Sequence, residues 1–194
     1  MLGAIKYNLA NLANLNGRDA RQTFWYYVLF VVVIRFIASM AISIPMMAGT
    51  IGSAVASAQQ GADPAAAQAQ MMGRMTEFLP RMMWFGIIIG VITALLLVAS
   101  FVRRLHDSDL SGWWAALPLA LHGYALSQVP AQMGRALEIM STAGSGTPPD
   151  PMVMMRGQGT MALVTWLPLI IGIVLAVRKS SEGPNRFGET SVSF

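Results

Sequence analysis

The sequence predicts an all-α, polytopic membrane protein with four transmembrane helices, preceded by an amphipathic helix. Composition is the first reason: 55% of the 194 residues are apolar, 11% are charged, and mean hydropathy is +0.54. A soluble domain typically has about 25% charged residues. The second reason is that four stretches are apolar over about 20 residues, the length that crosses a bilayer core. Cations beside one end of these stretches are the third.

Residues 1–16 form the predicted N-terminal helix, because Leu2, Ile5 and Leu9 recur at spacings of three and four. One interpretation places this helix in the membrane interface. A helix packed on the protein's own cytosolic side fits the pattern equally well. Asp19, followed three residues later by Gln22, resembles a capping box that starts the next helix.

The whole chain is predicted to form one membrane domain. Its spans are residues 24–46, 82–102, 113–133 and 160–177. The second span contains no charge, whereas the third contains Pro118, His122 and Pro130, so that a kinked helix shielded by the others is its alternative.

The connecting segments complete the predicted organisation. Residues 47–81 are predicted to form an outer loop or a weakly packed helical excursion, and residues 134–159 a second outer loop. Residues 178–194 form a polar tail.

Orientation follows from the distribution of cations. One side of the predicted membrane carries Lys6, Arg18, Arg21, Arg103, Arg104, Arg178, Lys179 and Arg186. The other side carries Arg74, Arg81, Arg135 and Arg156. Eight cations against four place both termini in the cytoplasm by the positive-inside rule. In such a protein the net charge of +4 records orientation and lipid contact, so nucleic acid is not an expected partner.

Three motifs meet on the predicted cytoplasmic side: GRDARQTFW at 17–25, RRLHDSDLSGWW at 103–114 and GPNRFGE at 183–189. Together they resemble bacterial inner-membrane proteins of the YhaH and YhaI type, a domain-of-unknown-function family with GR-x-x-R-x-x-FW, RRLHD-x-G-x-SGWW and NRFG motifs. The resemblance spans nearly the whole chain and implies a small multi-pass inner-membrane protein, without implying an activity. Asp109 stands where that family usually has glycine, and a positive φ there would suit Asp less well than Gly.

Two interpretations of the motifs remain open. The first is an anion site at headgroup depth, in which guanidinium groups bind phosphate oxygens of anionic lipids. Its predicted residues are Arg18, Arg21, Arg103, Arg104 and Arg186. The second is a structural knot that joins the cytoplasmic helix ends, with Arg103 and Arg104 paired to aspartate and Ser111 capping the third span. Its predicted residues are Asp107, Ser111, Trp113, Trp114, Asn185 and Phe187.

His106 beside Asp107 is a weak candidate for an acid/base pair, since a carboxylate on one ring nitrogen fixes the tautomer of the other. Within the spans, Arg35 is the one charged residue, and His122 lies at comparable depth on an antiparallel helix. A charge at that depth costs at least about 2.5 kcal/mol. The two residues are therefore predicted to line a polar pocket, with an arginine satisfied inside the bundle as the alternative.

No metal or cofactor is predicted. The chain has no cysteine, so disulfides and thiolate sites are excluded. Most of its 15 methionines lie toward the predicted outer side, where thioethers suit Cu(I). Flexible apolar packing explains them more simply.

The predicted function is that of a non-enzymatic membrane scaffold or partner-binding protein whose cytoplasmic basic residues engage anionic lipid headgroups. Its partners would be lipids and either further copies of the chain or another membrane protein. One alternative is a small channel or transporter that uses Arg35 and His122. The other is a membrane-surface enzyme that acts on a phosphorylated or lipid substrate through His106 and Asp107.

Overall fold

The computed structural model describes residues 1–61, 63–144 and 151–194. These residues form helices and no β-strand, which confirms the predicted all-α class. The helices are α1 Leu2–Ala10, α2 Arg21–Gln59, α3 Pro64–Asp107, a 3-10 turn Gly112–Ala115, α4 Ala116–Gly144 and α5 Pro151–Ala176.

Helices α2 and α3 form a long antiparallel hairpin. Both are long and apolar enough to cross a membrane. The two helices continue into the predicted outer segment, through residues 47–59 and 64–81. Of the two interpretations of that segment, the helical one therefore applies to these residues. Ala, Gln and Met are good helix formers, which explains the continuation. The hairpin turns at Gly61, whose φ is +64°, and the Asp63 carboxylate then caps α3 by accepting from the Ala65 amide at 3.2 Å.

Helices α4 and α5 are also longer than the predicted third and fourth spans. Helix α4 follows the 3-10 turn directly and contains Pro130, and α5 contains Pro168. Residues 162–176 of α5 form a shorter apolar helical segment. Most of the predicted outer loop at 134–159 is helical, while residues 145–150 lie outside the described residues.

Helix α1 is shorter than the predicted 1–16 and packs against α2. It buries Ala4, Ile5 and Asn8, while Leu2 remains exposed. Packing on the protein itself was one of the two interpretations of this segment. The predicted capping box is wrong: α2 begins after Ala20 without a side-chain cap, because the Asp19 carboxylate binds elsewhere.

The bundle is organised around α3, which packs against α2, α4 and α5. Its apolar core lies at the C-terminal end of α3 and consists of Val102, Leu105 and Ala115, against which Phe101, Leu110, Leu119 and Leu175 pack. Exposed apolar side chains cover α2, α3 and α5 farther along, among them Ile34, Phe36, Ile88, Leu95, Leu169 and Ile170. An apolar exterior on long helices is typical of segments that face lipid.

The turn between α3 and α4 has two special backbone positions. Asp109 has a φ of +56°, which confirms that the glycine-like position of the central motif is left-handed. Gly112 lies so close to α3 that an added Cβ would stand 2.8 Å from Val102 Cγ1 and 3.2 Å from His106 Nε2. The sequence SGWW therefore brings the backbone of the 3-10 turn against α3 where only glycine fits.

We expect Gly112→Ala to lower the free energy of unfolding by about 1–3 kcal/mol, the usual cost of overpacking. Thermal unfolding in detergent measures this. The matched control is Gly86→Ala, where a helical glycine has nothing within 4 Å of an added Cβ. Equal stability of the two variants would contradict the close approach.

Candidate functional site

The most distinctive feature of the structure is a group of buried charges at one end of the bundle. We call it the polar cluster and define it by Arg18, Asp19, Arg103, Arg104 and Asp107. Each is at most 3% exposed. Charged residues are almost never fully buried unless they are paired. The pairing of each residue therefore determines what this end of the protein can do.

Arg103 links α3 to the N-terminal segment. Its Nε donates to Asp19 Oδ1 at 2.9 Å, and its Nη2 donates to the Asn8 side chain at 2.6 Å. Its Nη1 donates to the carbonyls of Asn11, at 3.0 Å, and Asn14. A backbone hydrogen bond of 3.1 Å from Asp19 N to Arg103 O fixes the same contact. Four of the five guanidinium donors are thus directed at residues 8–19.

Arg104, next in the chain, links α3 to the end of α5. Its Nε donates to the Ala176 carbonyl at 2.9 Å, and its Nη2 donates to the Arg178 carbonyl. Its Nη1 donates to Asp107 Oδ2 one turn along α3. That same carboxylate oxygen accepts from Ser180 Oγ at 2.5 Å. The carbonyl of Ala176, the last residue of α5, which has no intrahelical partner, is satisfied in this way, as is the carbonyl of Arg178 just beyond the helix.

Arg18 links the N-terminal segment to α3 and the tail. Its Nη2 donates to Asp107 Oδ1 at 3.2 Å and to Ser181 Oγ at 3.0 Å. Its Nη1 donates to the carbonyls of Gly183, at 2.8 Å, and Gly188, at 3.1 Å. Asp107 therefore binds a guanidinium group on each carboxylate oxygen, one from its own helix and one from residue 18.

Asp19 is the second buried carboxylate. Its Oδ2 accepts from Ser100 Oγ at 3.0 Å, opposite the bond from Arg103. Burial raises the pKa of the Asp19 carboxyl, and the hydrogen bonds from Arg103 and Ser100 oppose this shift. Tyr7 covers the site: its ring centre lies 5.4 Å from Arg103 Cζ and 5.7 Å from the Phe194 ring. Burial also raises the pKa of the Tyr7 phenol, which keeps it protonated.

The tail contacts the N-terminal segment near its end, at Val192. Val192 forms a bridge with residues 18–20, because its amide donates to the Arg18 carbonyl at 2.9 Å and its carbonyl accepts from the Ala20 amide at 3.1 Å. Thr23 Oγ1 donates to the same carbonyl at 2.7 Å. The start of α2 is therefore held by the tail rather than by a side-chain cap.

His106 lies at the edge of the polar cluster with its ring fixed on both sides. Its Nδ1 is 3.2 Å from the Gly17 carbonyl, and since a carbonyl only accepts, Nδ1 carries a proton. The imidazole stacks on Phe187 with centroids 3.9 Å apart, and Arg186 lies over the other face of the Phe187 ring. Asn185 Nδ2 donates to the His106 carbonyl at 2.9 Å. The two members of the candidate acid/base pair thus bind other groups and not each other: Asp107 binds arginines, and His106 contacts the Gly17 carbonyl and the tail.

The structure separates the five arginines of the predicted anion site into two groups. Arg18, Arg103 and Arg104 are buried, and their guanidinium nitrogens donate to carboxylates, carbonyls and polar side chains of the chain itself, except Arg18 Nε, which has no partner among the described residues. Arg21 and Arg186 are exposed. Of the five predicted residues, only these two therefore have exposed side chains that could reach headgroups, and the binding of headgroups by them stays a prediction.

The predicted knot residues are also divided. Asp107, Asn185 and Phe187 lie in or against the polar cluster. Ser111 accepts from the Trp113 amide at 3.4 Å, so it caps the 3-10 turn before α4. Trp113 and Trp114 are 85% and 51% exposed, outside the polar cluster.

Arg35 and His122 are not joined by a hydrogen bond in the part of the chain that the structure describes. His122 is half-buried, and its Nε2 lies 3.4 Å from the Gly90 carbonyl in α3. Arg35 is exposed on α2, and no described residue forms a hydrogen bond or ion pair with it. No three His, Asp or Glu side chains are grouped as a metal site among the residues described.

Sequence reasoning missed several members of the site. Asp19 was assigned to a helix cap, and Asn8, Ser100, Ser180 and Ser181 were given no role. Charge balance is a signal that points to Asp19, because two adjacent buried arginines after an apolar helix need carboxylates. The repeat of asparagine at positions 8, 11 and 14 is another, since it places polar residues at regular intervals in α1 and in the turn that follows it.

The comparison with known families agrees with the three motifs. A family model described as a protein of unknown function, DUF805, matches residues 12–189, and the chain belongs to that family. No curated protein and no solved structure matches it. The matched region includes the whole polar cluster and the Asn185-to-Gly188 turn.

We expect Asp107→Asn to lower the free energy of unfolding by about 3–5 kcal/mol, because it leaves two buried arginines without their shared carboxylate. Unfolding in mixed detergent micelles measures this. The matched control is Asp109→Asn two residues away, whose exposed carboxylate pairs with exposed Arg186 at 3.3 Å. We expect no measurable change there. Similar losses in both variants would contradict the bridging role of Asp107.

Proposed function

We propose that this protein is a multi-pass membrane scaffold that crosses the bacterial inner membrane four times and binds anionic lipid headgroups at its cytoplasmic face. The observation that carries the scaffold proposal is the occupation of the polar cluster. Its reactive groups bind one another and the helix ends, which suits a structural role. Kinship with the YhaH and YhaI type within the family is part of the proposal and rests on the three motifs.

The lengths of the helices support four crossings. At 1.5 Å per residue, α4 and α5 are each about 40 Å long, and a bilayer core is about 30 Å thick. Helix α5 also carries exposed Leu163, Trp166 and Ile170. The polar cluster joins the start of α2 to the ends of α3 and α5, so α2, α3 and α5 place their positively charged ends together. The positive-inside rule puts those ends in the cytoplasm.

Cysteine scanning tests the topology sharply because the chain has no cysteine. We expect Gln59→Cys and Ala136→Cys to react with a membrane-impermeant maleimide in cells whose inner membrane is intact. Asn16→Cys and Ser193→Cys should react only after lysis. All four positions are exposed. Labelling of positions 59 and 136 from opposite sides would contradict four crossings.

The lipid proposal rests on cations outside the polar cluster. Lys6, Arg21 and Arg178 are exposed and have no carboxylate partner in the described structure. Arg186 is exposed as well, but it pairs with Asp109. Exposed Trp113 and Trp114 lie near the same end, and tryptophan is enriched at headgroup depth. Cations next to aromatic residues at one level form a suitable surface for an anionic leaflet.

We expect the double variant Arg21→Gln/Arg178→Gln to lower the preference for phosphatidylglycerol over phosphatidylcholine about thirtyfold, since each of the two cations near an anionic surface contributes about 1 kcal/mol. Native mass spectrometry of protein extracted from mixed-lipid vesicles measures the ratio. Arg74→Gln/Arg81→Gln, with two exposed arginines at the far end of α3, is the matched control and should retain the preference. Equal ratios in the two double variants would contradict the proposed site.

A further inference from the structure

Arg35 stands alone at the middle level of the bundle. The hydrogen bond from Asp19 N to Arg103 O places the start of α2 and the end of α3 at the same level. A second bond, from Tyr27 OH to the Leu96 carbonyl, keeps the two helices aligned toward the middle of the bundle. At 1.5 Å per residue, Arg35 lies about 22 Å from the polar cluster. It lies about 16 Å past Phe24, close to the middle of a bilayer core of about 30 Å.

The helix face that carries Arg35 is uncovered. Phe24, Tyr27 and Val31 are buried and form a stripe at helical spacing, on which Arg35 is the next position. Residues 32–37 are nevertheless all exposed. Helix α2 packs mainly against α3 and α1. Around Arg35, α2 therefore lies at the margin of the bundle with room for another helix.

Among the residues that the structure describes, no carboxylate lies at this level. Asp19, Asp107 and Asp109 lie at the polar cluster. At 1.5 Å per residue, Glu77 lies about 39 Å from Arg103 along α3, and Glu138 lies about 33 Å from Ala116 at the start of α4, so both lie beyond the level of Arg35. Asp63 lies at the turn between α2 and α3, Glu182 and Glu189 lie in the tail, and Asp150 lies outside the described residues.

This distribution also decides against a second copy as the partner. Copies of a membrane protein insert with the same orientation, so a neighbouring copy presents its groups at the same levels. At the level of Arg35 it would present another arginine and no carboxylate. A cation in the bilayer costs at least about 2.5 kcal/mol and is almost always paired. The missing anion must therefore come from a different molecule.

We propose that the mid-section of α2 around Arg35 binds a transmembrane helix of a different membrane protein, and that this helix carries an Asp or Glu at mid-bilayer depth. Exposed Ile34, Phe36 and Ile37 supply apolar contacts beside the ion pair. The inference requires the proposed membrane placement and is independent of lipid binding at the cytoplasmic face.

Synthetic transmembrane helices serve as the probe. The full chain, labelled at Ser193→Cys, is inserted in phosphatidylcholine vesicles, and energy transfer to a labelled Leu/Ala-rich peptide with one central Glu is measured. Peptides with a central Leu, or with Glu moved to the headgroup level, are the matched probes. We expect preferential binding of the central-Glu peptide. Arg35→Leu should weaken it about tenfold, the size of a strong intramembrane polar contact, and Arg35→Lys should preserve most of it.

Arg81→Leu is the control variant, since it removes another exposed arginine at the far end of α3 and should leave binding unchanged. Equal binding of the central-Glu and central-Leu peptides would overturn the proposal. Arg35-dependent energy transfer between two copies of the chain, with no binding of the peptide, would also overturn it. A third contradictory result is that Arg35→Leu loses a retained lipid while the chain binds all the peptides equally. If the chain does not insert in the vesicles, the proposed membrane placement is contradicted as well. If it inserts but does not prefer the central-Glu peptide, only the proposed helix partner is contradicted.

Discussion

The rest of the structure depends on the carboxylate of Asp107. Each of its oxygens binds one buried guanidinium group, Arg18 from the N-terminal segment and Arg104 from its own helix. Removing such charges from water costs several kcal/mol per ion, and only close pairing with further hydrogen bonds offsets that cost. Three buried arginines face two buried aspartates here, and backbone carbonyls of the tail and of residues 11–14 accept further guanidinium donors. The tail and the N-terminal segment thereby supply hydrogen-bond acceptors that the two carboxylates do not provide.

This dependence explains why nearly half of the buried residues that the structure describes are polar or charged. Lipid is as apolar as leucine, so burial of apolar side chains gives little preference for one helix arrangement over another within a bilayer. A set of ion pairs with fixed partners at the helix ends supplies that preference instead. The large exposed apolar surfaces of α2, α3 and α5 and the small apolar core near Leu105 are consistent with this division of roles.

The all-α class and the grouping of the three motifs could be predicted because hydropathy and motif position depend only on the chain itself. The usual glycine at position 109 of the motif raised the question of a positive φ there, and the structure shows one. The partners of Arg103 could not be predicted, because Asp19 fits a local capping pattern and only tertiary contact assigns it to an arginine 84 positions away. The predicted first and second spans are shorter than α2 and α3, because hydropathy marks the part of a helix that suits lipid and not the residue at which the helix ends. The sequence could not predict that Arg35 has no partner among the described residues, because that depends on the positions of all its neighbours.

The position of the tail has a consequence for biosynthesis. Ser181, Gly183 and Gly188, which hold Arg18, follow the last helix in the chain. Residue 18 and Asp107 both leave the ribosome before them, so the bond between Arg18 and Asp107 and the bonds of Arg103 to residues 8–19 need no part of the tail. The bonds from Arg18 to the tail can form only after the last helix has been synthesised. Completion of the polar cluster is therefore the last step in its assembly.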